Sequence, residues 1–170
     1  TTPWTLPSNV ALCVNPADTY CKVKAADGFT YYMAEALLDK VLGSLAKEEG
    51  EKAYEVLEKY VGTDLEYKEY EPLFACAGES AAKQHKKGHY VTCDNYVTMT
   101  DGTGIVHIAP AYGAEDFWAA KAIDPKFPVL LNVDDYGNFD ETVVDFAGQN
   151  IFAATPAIID WLKANGKLVK

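Results

Sequence analysis

Two short segments of the chain carry most of the side chains that could take part in chemistry. The first is the N-terminal run TTPWTLPSN, in which three threonines and an asparagine accompany two prolines. Proline favours an extended conformation in the residue before it, so we expect Thr2 and Leu6 to be extended. Hydroxyls along such a strip could bind a carbonyl, a ribose or an ordered water, because each both donates and accepts hydrogen bonds. The structural alternative is a stiff leading segment that buries Trp4 in the core.

The second segment is GTGIVHIAPAYGAED, which begins at Gly102. If residues 105–109 form a strand, His107 lies in one apolar row with its i±2 neighbours. Asp116 follows nine residues later, at the predicted start of a short helix. A histidine in such a row is more often a hydrogen-bonded core residue than a catalytic one, and an acid in the first helical turn is common. Only together do the two segments suggest a cleft with hydroxyls, an imidazole, a carboxylate and a tryptophan.

The composition excludes several classes of protein. The chain has 170 residues, 49% of them hydrophobic, which suffices for one domain with a buried core. No apolar run approaches the roughly 20 residues of a membrane span, and no signal peptide is visible. With 15 basic and 25 acidic residues the net charge is −10, which gives little non-specific attraction to nucleic acid. A compact basic cluster, for which a solvated loop is the ordinary explanation, comprises Lys83, His85, Lys86, Lys87 and His89.

Metal chemistry is not predicted. His85, His89 and Cys93 recur every four residues, but a fourth ligand is missing and the stretch ends in strand-like sequence. The four cysteines form no CxxC pair. We therefore expect reduced thiols, as in a cytoplasmic protein.

The pattern of short β-type runs with a few helices predicts a mixed α+β fold around a closed or nearly closed barrel. Residues 54–61 fit a helix or a strand equally well. The last helix is expected to begin with Thr155 as N-cap and Pro156 at its first position, and to stop at 165–166. The other predicted helices are 33–45 and 115–123, and the predicted strands are 10–14, 20–25, 29–32, 90–99, 105–109 and 129–133.

TTPWTLPSN resembles the threonine-rich motif of isoleucyl-tRNA synthetase editing domains, and GTGIVHIAPAYGAED resembles the second editing motif of that family. The related valyl and leucyl enzymes have an Arg-Pro-acid sequence in place of Pro3-Trp4 and lack a histidine at the His107 position. GTDLEYKEYEPLF resembles the segment between the motifs, so the resemblance covers nearly the whole chain. Details at 94–96 and 113–116 resemble the eukaryotic-type branch.

The chain starts at Thr1 without a methionine, and the family motif usually has one more threonine before it. We therefore expect residues 1–170 to be a single editing domain, a fragment of a larger class I synthetase. The resemblance implies a β-barrel-like α+β domain with several surrounding helices. It further implies a cytoplasmic location and, for the isolated domain, a monomer that does not bind membranes.

The implied activity is hydrolysis of the ester of mischarged valyl-tRNA(Ile), with isoleucyl-tRNA(Ile) spared. One methylene is worth only about 1–3 kcal/mol in a hydrophobic pocket, a limit for which this synthetase family is the standard example, so a second site is needed. The implied partners are the tRNA acceptor end with its misattached valine and the rest of the parent synthetase. No cofactor is implied in this domain, because ATP and magnesium belong to the synthetic domain.

The resemblance implicates six residues, namely Thr1, Thr2, Trp4, Asn9, His107 and Asp116. The aspartate would bind the α-ammonium of the amino acid, and the histidine would form a wall that limits side-chain size. The tryptophan would frame the same pocket. The two threonines would position the ester and the attacking water, and the asparagine would support them. Since no general base is evident, we expect water attack aided by orientation and by hydroxyl groups.

Two other functions fit the same residues. The domain could be a non-catalytic module that binds the tRNA acceptor end, in which case substitution of Asp116 would have little effect. It could also be a structural insert without a site, in which case His107 and Asp116 would lie on opposite sides of the barrel.

Overall fold

The computed structural model describes residues 2–46, 52–123 and 127–169, with only the backbone described at 121–123. The strands are β1 (Ala11–Val14), β2 (Thr19–Ala25), β3 (Thr30–Ala34), β4 (Tyr54–Val61), β5 (Tyr90–Cys93) and β6 (Ile105–Ile108). The α-helices are α1 (Leu38–Leu42), α2 (Gly62–Leu65), α3 (Ala75–Lys83), α4 (Ala114–Ile123) and α5 (Ile151–Ala164). The 3-10 helices are Pro3–Ser8, Glu35–Leu37, Gly43–Leu45 and Val144–Phe146.

The described strands form two sheets of three strands each, with orders β5-β1-β6 and β3-β2-β4. In the second sheet β2 is central and antiparallel to both neighbours, with Cys21 opposite Met33 on one side and Lys59 on the other. A turn that includes residues 27–28 joins β2 to β3. Gly28 has a φ of 93°, a conformation that glycine adopts without steric cost.

The chain folds as two compact units, each assembled from separated segments of sequence. The first unit comprises residues 1–11, 71–89 and 107–170, and the second comprises 12–70 and 90–106. That residues 1–170 act as one editing domain of a larger synthetase stays a prediction.

The core of the second unit lies between its β-strands and α1. Apolar side chains of both sheets meet there, and the Tyr20 hydroxyl donates a 2.7 Å hydrogen bond to the Gly104 carbonyl. The central buried residues are Val14, Tyr20, Ala34, Leu37 and Leu65. A neighbouring cluster contains Cys21, Val23, Ala25, Met33, Leu38 and Leu42.

The core of the first unit is built on one face of α5. Ile151, Ala154, Ile158 and Leu162 are buried at helical spacing, as an amphipathic helix requires. The aromatic ring of Phe74 stacks on that of Trp161 with centroids 4.5 Å apart. Trp4 and Leu6 pack against this cluster and so attach the N-terminal segment to it.

The predicted α+β class is confirmed, and residues 54–61 form a strand. The prediction of a strand at 129–133 is wrong: Val133 forms an isolated β-bridge with Phe139, and side chains bond to the backbone of Val129 and Asn132. The Gln84 amide group bonds to the backbone of Val129, and the amide N–H of Asn132 donates to the Tyr112 hydroxyl. The described strands form two separate sheets rather than one closed sheet.

The start of the last helix is also corrected. Asn150 is the N-cap of α5, since its side chain accepts a hydrogen bond from the Phe152 amide, so Thr155 and Pro156 lie inside the helix. The Thr155 hydroxyl donates to the Ile151 carbonyl one turn back. The stop at 165–166 is confirmed, with Asn165 as C-cap. Helix α3 was not predicted, and every helix in the described part of the chain is too short or too polar to cross a membrane.

Candidate functional site

The threonine-rich segment folds as a 3-10 helix over Pro3–Ser8. Thr2, its N-cap, is extended as predicted, but Leu6 lies within the helix, and the predicted extended strip of hydroxyls is wrong. The Thr2 carbonyl accepts hydrogen bonds from the amide and the hydroxyl of Thr5, at 3.1 and 2.8 Å. Thr5 is therefore turned inward and buried, while Thr2 is exposed. Thr1 lies outside the described residues.

His107, on β6, is held at both ring nitrogens. Its Nε2 lies 2.9 Å from the Thr5 hydroxyl and its Nδ1 lies 3.0 Å from the side-chain nitrogen of Asn9. That nitrogen also donates a 2.8 Å hydrogen bond to the Ala11 carbonyl. Thr5 and Asn9 are both buried, so the residues that position the imidazole are themselves fixed by packing.

These contacts determine the protonation of the ring. A carbonyl oxygen can only accept, so the atom of Asn9 that faces Ala11 must be its NH2 group. The second proton of that group then points at Nδ1 of His107, which must accept it. A neutral imidazole therefore carries its proton on Nε2 and donates to Thr5, whose hydroxyl donates onward to Thr2.

Burial lowers the pKa of His107 to about 4, because the charged imidazolium is poorly solvated there. At neutral pH the ring is therefore uncharged. It is also engaged at both nitrogens, which makes it a rigid planar surface rather than a free base.

Asp116, in the first turn of α4, lies near the end of the same strand. Its Oδ2 accepts a 2.9 Å hydrogen bond from the Ala109 amide, and its other oxygen bonds to no described residue. Burial raises the pKa of this carboxyl, although the Ala109 hydrogen bond opposes the shift. Gly113 makes room for it, since a Cβ there would lie 2.9 Å from the carboxyl carbon and 3.0 Å from Oδ2.

Trp4 is half-buried and packs against Tyr112, with ring centroids 5.0 Å apart at 69°. The Tyr112 hydroxyl donates to the side-chain oxygen of buried Asn132 at 2.9 Å. The same hydroxyl accepts a hydrogen bond from the Asn132 backbone N–H at 3.0 Å. The Ser8 hydroxyl donates to the same asparagine oxygen at 2.7 Å. The loop between β6 and α4 and the end of the 3-10 helix are thus joined by satisfied polar contacts.

The basic cluster contains one buried member. His89 is 8% exposed, its Nε2 donates to the Asn9 carbonyl at 3.0 Å, and burial lowers its pKa. Lys86 donates to the Phe127 carbonyl at 3.2 Å. The exposed members are Lys83, His85 and Lys87.

The structure brings together Asn9 and His107 directly, and Thr2 through Thr5. That Thr2, Trp4, His107 and Asp116 line one pocket stays a prediction. Thr5 was missed as a functional residue. Its position three residues after Thr2 is the signal that could have identified it, because a 3-10 turn pairs residues at that spacing.

The described residues contain no group of three or more His, Cys, Asp or Glu side chains that could hold a metal ion. All four cysteines are free, and burial is the main cause that raises the pKa of each thiol. The absence of a cofactor stays a prediction.

Sequence comparison gives isoleucine–tRNA ligases as relatives over the whole chain, although no family model matches it. The chain is 42% identical to the isoleucine–tRNA ligase of Clostridium novyi (strain NT) over 170 residues, which is 100% of this chain and 15% of that protein. It is 39% identical to the cytoplasmic isoleucine–tRNA ligase of Arabidopsis thaliana over 197 residues, 100% of this chain and 16% of that protein. The chain thus spans about a sixth of these relatives, and the eukaryotic-type assignment stays a prediction.

Solved structures with the same fold are leucyl-tRNA synthetase domains. The crystal structure of GlLeuRS-CP1 matches with a TM-score of 0.72 and 15% identity, covering 98% of this chain and 78% of that one. The editing domain of the P. knowlesi cytosolic leucyl-tRNA synthetase matches with a TM-score of 0.68 and 14% identity, covering 98% and 80%. The chain therefore has the fold of a CP1 editing domain.

Proposed function

We propose that this chain, homologous over its whole length to a segment of isoleucine–tRNA ligases, hydrolyses the ester of mischarged valyl-tRNA(Ile) and spares isoleucyl-tRNA(Ile). Its partners would be the tRNA acceptor end and the rest of the parent ligase. The observation that carries the proposal is a fixed, neutral His107 on β6 with a partly buried carboxylate, Asp116, beyond the end of that strand. A rigid wall and an anion are what a site for a small amino acid requires.

Asp116 is proposed to bind the α-ammonium of the misattached amino acid. One of its oxygens is held by the Ala109 amide and the other bonds to no described residue, so the carboxylate is both fixed and available. Burial without a cation raises its pKa, and an ammonium ion at hydrogen-bond distance would favour the ionised form.

His107 is proposed to exclude isoleucine by its bulk. Both of its nitrogens are engaged, by Asn9 and Thr5, so the ring cannot turn aside without breaking a hydrogen bond. A single apolar pocket cannot distinguish valine from isoleucine strongly enough. A second, smaller site that hydrolyses only the valyl ester adds the missing selectivity.

The hydrolytic step is proposed to use a water molecule positioned by Thr1 and Thr2, with Trp4 framing the pocket and Asn9 supporting His107. The pKa of His107, about 4, disfavours proton abstraction at neutral pH, because the protonated imidazole would be unstable there. Orientation of water and ester is then the main contribution of the protein. No metal or organic cofactor takes part.

The proposal is tested by Asp116→Asn in the full-length ligase that carries this segment. Asparagine keeps an oxygen for the Ala109 amide but removes the negative charge, so the fold should be preserved. A lost charge-assisted hydrogen bond corresponds to about 1.5–3 kcal/mol, so deacylation of valyl-tRNA(Ile) should slow roughly 10- to 150-fold. Glu115→Gln is the matched control, since it neutralises the neighbouring exposed acid of α4 and should leave deacylation unchanged.

Isoleucylation by the synthetic domain should be unaffected in both variants. Normal clearance of valyl-tRNA(Ile) by Asp116→Asn would contradict the proposed role. It would instead favour a module that only binds the tRNA acceptor end.

A further inference from the structure

The second unit contains a cavity of about 290 Å³ that the proposed function does not use. Residues of both sheets line it, and every lining residue belongs to the second unit. None of the described residues proposed for editing is among them. The lining residues are Leu12, Val14, Tyr32, Leu65, Lys68, Glu69, Tyr70, Val91 and Ile105.

The interior of this cavity is apolar and continuous with the core of the unit. Val14 and Leu65 are buried members of the core cluster, and half-buried Val91 and Ile105 pack against that cluster. Leu12 is half-buried as well. An apolar ligand would remove the exposed part of these side chains from water, which is the main favourable contribution at most small-molecule sites.

Lys68 is the cationic residue of the lining. Its Nζ lies 5.7 Å from the centroid of the Tyr60 ring, which lies 6.1 Å from the ring of Tyr32 in the cavity wall. Lys68 forms no ion pair with another described residue. Glu58 is engaged by Lys22 and Tyr60 instead, and those hydrogen bonds are the main causes that lower its pKa. The ammonium group of Lys68 is thus held beside the cavity, where an anion could pair with it.

Backbone contacts to β5 fix the turn that carries Lys68. Tyr67 has a φ of 63°, a left-handed conformation that is uncommon for a bulky residue. Its amide donates to the Val91 carbonyl at 2.8 Å, and the Val91 amide donates to the Lys68 carbonyl at 2.9 Å. The ring of Tyr67 packs against that of Tyr90 with centroids 6.1 Å apart. Such a conformation persists only where its surroundings enforce it, and residues of this kind are frequent at ligand sites.

We infer that this cavity binds a small organic monoanion whose apolar body fills the interior and whose anionic group lies at the rim beside Lys68. At about 30 Å³ for each non-hydrogen atom, the share of liquid volume that a water molecule takes, the cavity has room for roughly ten such atoms. A medium-chain alkanoate has this size and charge. The inference does not rest on the proposed function.

The first measurement titrates the nitrogen-15-labelled 170-residue chain with butanoate, hexanoate and octanoate and follows the backbone amide shifts by NMR. We expect saturable shifts at the lining residues of β1, β5 and β6. Burial of each further methylene should raise the affinity roughly fourfold until the cavity is full.

The charge of the ligand is tested by Lys68→Gln. This variant should weaken octanoate binding roughly 2- to 5-fold, the factor of an exposed ion pair, and leave binding of uncharged octan-1-ol unchanged. Glu69→Gln is the matched control, since it removes the opposite charge from the adjacent lining residue and should not weaken octanoate binding. High salt should weaken octanoate binding in the unmodified chain more than in Lys68→Gln.

The cavity itself is tested by Val91→Phe, because the larger side chain would occupy the interior. We expect octanoate affinity to fall roughly tenfold or more, since several methylenes lose their burial. Val56→Phe is the control, at a valine of β4 that is 38% exposed and does not line the cavity. If Val91→Phe does not fold by circular dichroism, Leu12→Phe, at another half-buried position of the lining, takes its place.

Absence of saturable shifts with octanoate would overturn the inference, as would binding that Val91→Phe and Val56→Phe leave equally strong. Shifts spread over both units would indicate non-specific adsorption and would also count against it. Weaker octanoate binding in Glu69→Gln, but not in Lys68→Gln, would contradict the assigned charge. These outcomes are independent of valyl-tRNA(Ile) hydrolysis, because the described residues proposed for that reaction lie outside the cavity lining.

Discussion

His107 illustrates how a residue acquires a role from partners that are distant in sequence. Nothing adjacent to it on β6 is polar, yet Thr5 and Asn9 hold both of its nitrogens. The imidazole is consequently neutral and held at both ring nitrogens, and under the proposed function it contributes its shape to the site.

The depressed pKa of His107 predicts a dependence of stability on pH. Its folded pKa of about 4 lies below the ordinary histidine pKa of 6.5, so the unfolded chain binds the proton first as the pH falls. The contribution of neutral His107 is complete above pH 6.5 and is lost progressively between 6.5 and 4. His89, whose pKa is also lowered by burial, acts in the same direction.

Urea unfolding at pH 7 and pH 5 tests this prediction. His107→Gln should lose less stability on acidification than the unmodified chain does. His85→Asn, at an exposed position with a φ of 54° that asparagine tolerates, should keep the original dependence. An identical loss in all three chains would show that His107 is not the group responsible.

The loop from β6 to α4 positions the Asp116 carboxylate. Gly113 leaves the space that this carboxylate occupies. A Cβ there would lie 2.9 Å from the Asp116 carboxyl carbon, so Gly113→Ala should displace this side chain from the Ala109 amide. We expect slower deacylation of valyl-tRNA(Ile), by roughly tenfold or more, the weight of a hydrogen bond to a charged group.

Gly43→Ala is the control for that substitution, since a Cβ at Gly43 would meet nothing within 4 Å. Stability of both variants is followed by circular dichroism. Full deacylation activity in Gly113→Ala would mean that the position of Asp116 is not critical.

The elements that could be predicted from the sequence are those with a strong local signal. Short runs of β-type residues predicted β1, β2 and β3, and the asparagine–glycine pair at 165–166 predicted the end of α5. The start of α5 could not be predicted in the same way. Thr155-Pro156 is a strong local start signal, but Asn150 caps the helix five residues earlier and burial of Ile151 and Ala154 extends it.

The sequence proposes residues for the candidate site but does not predict the contacts that connect them. The family motifs point to His107 and Asp116. The contact between Thr5 and His107 depends on a 3-10 helix, whereas the prolines of this segment favour an extended backbone in the residues before them. Residues 129–133 are likewise apolar enough for a strand, but the side chains of Gln84 and Tyr112 bond to the backbone of Val129 and Asn132, and Val133 forms an isolated β-bridge with Phe139. Such tertiary contacts do not produce a periodic pattern in the sequence, so they cannot be predicted from it.

At the scale of the whole molecule, the net charge of −10 determines how strongly the chain attracts nucleic acid. Nucleic-acid binding needs Lys and Arg opposite phosphates, and of the basic cluster only Lys83, His85 and Lys87 are exposed. A tRNA substrate would therefore depend on the rest of the ligase to bring its acceptor end to this domain.

We predict that the isolated chain binds uncharged isoleucine tRNA only weakly, above the micromolar range at physiological salt. The joint reversal Lys83→Glu and Lys87→Glu should weaken this residual binding further, whereas Lys167→Glu, an exposed lysine just after α5, should change it little. Fluorescence anisotropy with labelled tRNA measures all three. Sub-micromolar affinity of the unmodified chain would contradict this account of its electrostatics.

The central claim is that this domain admits valine and excludes isoleucine because His107 is a wall. The most direct measurement is deacylation of valyl-tRNA(Ile) and isoleucyl-tRNA(Ile) by the full-length ligase with His107→Ala, with spontaneous ester hydrolysis as baseline. We predict that isoleucyl-tRNA(Ile) becomes a substrate while clearance of valyl-tRNA(Ile) largely persists. Loss of valine clearance, with isoleucyl-tRNA(Ile) still untouched, would contradict the claim and assign His107 a chemical role instead.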